Sequence, residues 1–131
     1  MSSREVADWF NEQAPAAFAF LHAEFGMAGP IVSDDAIAFE SPDFTISIGL
    51  DWRDGICVNF AASAGERKFR ASMDCLYVQS NLGPAQSIKS TARTSHTLQQ
   101  SLASNAVALR KLLPMLRTED RSSLFAACHG R

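Results

Sequence analysis

The residues that could do chemistry are few, and none stands in a complete pattern. His22-Ala23-Glu24 has the spacing of half a zinc deaminase site, but that reaction needs a Pro-Cys-x-x-Cys helix to finish the metal site. No such helix exists in this sequence. Ser95-His96 sets a hydroxyl beside a base, yet a base activates a nucleophile through tertiary geometry and not through chain neighbourhood. A helix cap followed by a first-turn histidine explains the pair. Cys128-His129 could favour a thiolate, but it has no Gly-rich or acidic companion nearby. Gly83 to Ser90 ends in Lys-Ser as a phosphate-binding loop does, without the second glycine before the lysine that the amide cradle requires. Paired carboxylates occur at Asp34-Asp35 and at Asp51/Asp54, in segments with turn composition where Asp serves local hydrogen bonding. These readings predict no catalytic residue, no metal site, no cofactor and no enzymatic activity.

The cysteines carry an expectation of their own. Cys57, Cys75 and Cys128 lack both Cys-x-x-Cys and Cys/His zinc spacing. Three free thiols, no disulfide and a reducing cytoplasm are the expectation. Met1 to Asp8 has neither the basic start nor the apolar run of a secretory leader, and no apolar run approaches the roughly 20 residues of a membrane span. Both agree with a cytoplasmic protein.

Charge is distributed unevenly. Residues 1–65 hold ten acidic and two basic groups, and residues 66–131 hold four acidic and ten basic ones. Residues 34–54 alone carry six acids against Arg53. A nucleic-acid footprint is basic. Here the net charge is −2, and the one basic-aromatic cluster is Arg67-Lys68-Phe69-Arg70. The acidic segment points instead to a basic protein partner, steered by Asp34, Asp35, Asp43, Asp51 and Asp54. No nucleic acid and no membrane are expected among the partners, and the chain is expected as a monomer or homodimer.

The elements that would position these groups follow from periodicity. Ser2 and Glu5 fit a capping box. Val6, Trp9, Phe10, Ala17, Phe20, Leu21 and Phe25 recur at helical spacing. Pro15 predicts a kink or a division into two helices, over about 3–13 and 15–25, with Gly26 as a left-handed terminus. Ile31-Val32 and residues 36–40 read as short strands. Phe44, Ile46, Ile48, Leu50 and Trp52 alternate with Thr45, Ser47, Gly49 and Asp51, which specifies a sheet with one apolar face. Arg53-Asp54-Gly55 turns the chain, and Ile56, Val58 and Phe60 continue the apolar face. After a turn at Gly65-Glu66, residues 67–71 have the charges of an edge strand, without enough pattern to decide whether they form one.

A short helix from Met73, a loop over 84–94, a helix over about 96–117 capped by Ser95, and a last helix capped by Thr118 follow. His129-Gly130-Arg131 is expected to fray. The chain is thus predicted to be a single α+β domain over 1–131. An antiparallel meander of three to four strands packs on N-terminal and C-terminal helices as a two-layer sandwich. The sheet's other face should be small and polar, showing Thr45, Ser47, Gly49, Asp51, Cys57 and Asn59.

The layout resembles that of small cytoplasmic immunity proteins of bacterial toxin systems. The resemblance lies in Trp9-Phe10 on a capped helix, Phe25-Gly26 at its end, Phe39-Glu40-Ser41, Phe44-Thr45-Ile46-Ser47-Ile48, and Asn105-Ala106-Val107-Ala108-Leu109-Arg110 on a Leu-rich closing helix. It implies a non-enzymatic antitoxin that binds and neutralises one cognate toxin domain. It carries over no binding residue, because such families share no binding motif. The opening helix and meander also resemble type III secretion chaperones, which bind effector segments, but the helical reading after residue 84 departs from them. A small enzyme with an unrecognised site is the remaining alternative.

Overall fold

A computed structural model describes residues 3–34, 36–51, 55–64, 66–117 and 121–131. The expected features at Ser2, Asp35, Trp52, Arg53-Asp54, Gly65 and Thr118 to Asp120 lie outside them. Five strands form one antiparallel sheet in chain order: β1 (Ala28–Ser33), β2 (Ala36–Glu40), β3 (Phe44–Asp51), β4 (Gly55–Ala64) and β5 (Arg67–Ser72). The helices are α1 (Ser3–Ala17), α2 (Phe20–Ala23), α3 (Met73–Gln79), α4 (Ser95–Leu116) and α5 (Arg121–Cys128). The α+β meander is as expected, with more strands than the predicted three to four. Residues 67–71 do form a strand.

Register explains why one face is buried. Ile37 pairs with Ile48, Phe39 with Ile46, Ile48 with Val58, Ile46 with Phe60, and Phe60 with Ala71. All of these are buried. Because side chains alternate faces along a strand, each apolar residue lands beside another across the ladder. Phe10, Leu21, Leu98, Leu102, Leu109, Leu112 and Phe125 from the helices, with Phe18 from the turn between α1 and α2, complete one continuous core with them. Each fully buried side chain of this size contributes roughly 1.5–3 kcal/mol.

Local departures from expectation have local causes. The first helix does not break at Pro15 but runs through it to Ala17. Ala14, Phe18 and Leu21 are fully buried, and this stripe holds the chain helical past the proline. A tightened turn then joins α1 to α2, with the Ala19 N–H reaching the Ala16 carbonyl at 3.4 Å. Gly26 takes the left-handed conformation at φ +68°, as its place after a helix requires. β1 begins at Ala28 and includes Gly29-Pro30, because an edge strand tolerates a residue without an N–H. Thr94, not Ser95, caps α4: its hydroxyl accepts from the Thr97 N–H at 3.1 Å, and Thr97 returns a bond to the Thr94 N–H.

Two expectations are overturned. Cys75 and Cys128 form a disulfide, with Cα atoms 5.7 Å apart, and Cys57 lies outside it. Chain spacing could not show this, because the pairing comes from α3 packing on α5 across 53 residues of sequence. The second concerns residues 129–131, which do not fray. The Gly130 N–H donates to the Arg70 carbonyl at 2.8 Å, the Arg131 carbonyl accepts from the Ser72 N–H at 2.8 Å, and His129 Nδ1 accepts from the Arg70 N–H at 3.1 Å. The tail pairs with the outer side of β5.

Candidate functional site

The three candidate acids within the described residues, Asp34, Asp43 and Asp51, do not converge. In a meander, the β1–β2 and β3–β4 connections lie at one end of the sheet and the β2–β3 connection at the other. Asp34 follows β1 and Asp51 closes β3, so both stand at the first end, and both are exposed. Asp43 lies between β2 and β3 at the opposite end, where it pairs with Arg121 at 3.3 Å. Asp35 and Asp54 lie outside the described residues. Glu40 is exposed at the end of β2, across from Ala28 of β1. Neither Asp34 nor Glu40 forms an ion pair among the described residues.

The acidic end is held by a device that the sequence did not reveal. Gly55 begins β4 immediately after the acidic hairpin, with φ +83°. A Cβ there would fall on the Ser90 carbonyl. That carbonyl accepts from the Ile56 N–H at 2.7 Å, so residues near 90 run against β4 where β5 no longer reaches. Three polar side chains on α4 fix this segment. Ser101 Oγ donates to the Thr91 carbonyl at 2.5 Å, Asn105 Nδ2 donates to the Lys89 carbonyl at 2.9 Å, and Ser104 Oγ accepts from the Lys89 N–H at 2.9 Å. Ser101 and Asn105 are buried. Two polar residues inside an otherwise apolar helical stripe were the available signal, since buried polar groups are retained only with partners.

The sheet's outer face is small and polar, as expected, but its far border is basic. Ser47, Asn59, Arg70, Ser72 and Arg131 line a shallow concavity of 520 Å³. Asn59 and Ser72 continue into a second one of 400 Å³ with Cys57, Asp74 and Ser90. Partial burial raises the Asp74 carboxyl above the ordinary carboxylate range.

The other candidate groups have structural partners. His22 Nδ1 donates to the Met27 carbonyl at 2.8 Å. Glu24 pairs with Arg110 at 2.6 Å while that guanidinium stacks over Phe20 at 4.2 Å. The sulfur of Cys128 is committed to Cys75. Among the described residues, no helix is long and apolar enough to cross a membrane. No protein-family model, curated protein or solved structure matches this chain.

Proposed function

We propose that this chain is an immunity protein, which binds a basic toxin domain through the acidic end of its sheet and neutralises it. The observation that carries the reading is the concentration of carboxylates at Asp34 and Asp51, while the cations Arg67, Lys68 and Arg70 lie on the far strand. Such a field steers a cationic partner toward one end of the molecule. The resemblance in layout supplies the toxin as the class of partner. The helix over residues 95–116 keeps the departure from secretion chaperones in place.

The toxin reading implies a cytoplasmic setting. The Cys75–Cys128 bond counts against that setting, since disulfides persist mainly in oxidising compartments.

The test is association kinetics with an inactivated toxin domain encoded beside this gene. Asp34→Lys with Asp51→Lys should slow association about tenfold or more at low salt and flatten its salt dependence. Asp43→Lys, at the other end, should change it less than about twofold, as single exposed charges contribute little. Wild-type association by the double variant, with its melting temperature unchanged, would refute the reading.

A further inference from the structure

We infer that the outer edge of β1 receives an extended, lysine- or arginine-flanked segment of the partner protein as a sixth strand. The inference rests on the reading of a basic protein partner and names how that partner is held.

β1 is the last strand on its side of the sheet. Among the described residues, no backbone hydrogen bond reaches it from outside the sheet. Ile31 and Val32 are 49% and 58% exposed, the two largest such values among the exposed aliphatic side chains outside α4. Successive residues of an antiparallel ladder face toward and away from the partner strand in turn. Ser33 and Ala36 pair across the two-residue loop, so the neighbouring Val32 presents its N–H and C=O to the open side. Pro30 lies in the register break between Ala28 and Ile31 and has no N–H, so the regular edge is Ile31 to Ser33. An incoming strand therefore finds a donor and acceptor at Val32, with Ile31 and Val32 giving apolar contact on opposite faces. This is the arrangement that strand addition uses, main-chain bonds for affinity and alternate side chains for selection.

Charge selects the occupant. Asp34 stands at one end of β1 and Glu40 lies across from Ala28 at the other, and neither is balanced by a cation among the described residues. A strand with basic residues near both ends satisfies both. A second copy of this chain would bring its own Asp34 toward this acidic surroundings, and a six-residue edge gives little area for a stable dimer.

The experiment titrates isotope-labelled full-length protein with a synthetic peptide of alternating Val and Thr flanked by lysines, and with its glutamate-flanked twin. The lysine peptide should shift the Val32 and Ser33 amides and slow Val32 exchange at least tenfold, leaving Ser72 of β5 unchanged. The twin should bind at least fivefold more weakly. Val32→Pro removes the outward donor and should abolish the effect, and Ile31→Lys, which keeps that donor, should weaken it. No change at β1 with millimolar peptide overturns the inference, as does equal binding of the twin. Concentration-dependent doubling of mass with Val32 protected before any peptide is added also overturns it, because a second copy then fills the edge. If a toxin domain binds and leaves Val32 unchanged, the proposed function stands and this inference fails. If the peptide docks on β1 and no toxin domain binds, the inference stands and the function fails.

Discussion

The two edges of the sheet are finished in opposite ways. β5 carries Arg67, Lys68 and Arg70, and its outer side is hydrogen-bonded to residues 129–131. That tail is anchored by Cys128, the last residue of α5, in a disulfide to α3. β1 has two exposed aliphatic residues, a proline, and no such cover among the described residues. Proteins blunt edges because unpaired strand groups template association. Here one edge has charge, a chain segment and a covalent anchor, while β1 is blunted only at its start, by Pro30 and the register break between Ala28 and Ile31, and is left open over Ile31 to Ser33. The contrast teaches that open edges are not tolerated indiscriminately in this fold. Blocking β5 while leaving β1 available limits strand pairing to one side.

The largest effect should come from the part common to both edges. Ile48 is fully buried and pairs with Ile37 and Val58, so Ile48→Ala should cost about 2–5 kcal/mol in denaturant unfolding. It should raise exchange of β2 and β4 amides together, and a loss confined to one edge would show that the sheet is not one cooperative unit. Next is the anchor. Cys75→Ser with Cys128→Ser should cost about 2–4 kcal/mol, since the bond closes a long loop. Exchange at Ser72 should rise more than at β1. The protein isolated from its host should have a mass two units below the fully reduced value.

Removing residues 129–131 should act more mildly, by about 1–3 kcal/mol for its lost hydrogen bonds. It should also convert β5 into a second open edge, seen as new exchange at Arg70 and Ser72 and as self-association at high concentration. An unchanged Ser72 amide would mean the tail is not what closes that edge.

The smallest effect concerns Asp74, just beyond β5 in the first turn of α3. Burial raises its folded-state pKa above the unfolded value, so the folded state holds the proton more tightly. Stability from this group is present below the unfolded pKa and is lost as pH rises through the folded one. Asp74→Asn should therefore remove a small decline in stability across the mildly acidic range and leave β1 untouched. A wild-type stability profile that rises over that window, with the same rise in the variant, would contradict the assignment.

Much of the sheet could be read from sequence because burial on one face enforces alternation. Phe44 through Leu50 and Ile56 through Phe60 had only one register that hides their apolar residues. β1 was harder, since this edge strand, unlike β5, is exposed on both faces and alternation leaves no mark on Ile31 and Val32. The end of α1 was misplaced because Pro15 was weighed locally while tertiary burial of Phe18 and Leu21 decided the matter. The disulfide and the paired tail are contacts across more than fifty residues, for which no local pattern exists. Asp34, Asp43 and Asp51 were singled out by charge alone, and charge does not say which turns share an end of the sheet.

The grip of α4 on residues 89–91 has a practical consequence for anyone who labels or splices this protein. The connection from residue 80 to residue 94 looks like one irregular loop, but it has two mechanically different halves. Its first half, around Pro84 to Ser87, bonds mostly to itself and should accept a fluorophore or an inserted tag. Its second half is bolted to a 22-residue helix and seated on Gly55. A residue added there would shift the root of the acidic hairpin, some thirty-five positions earlier in the chain, without touching any acidic residue.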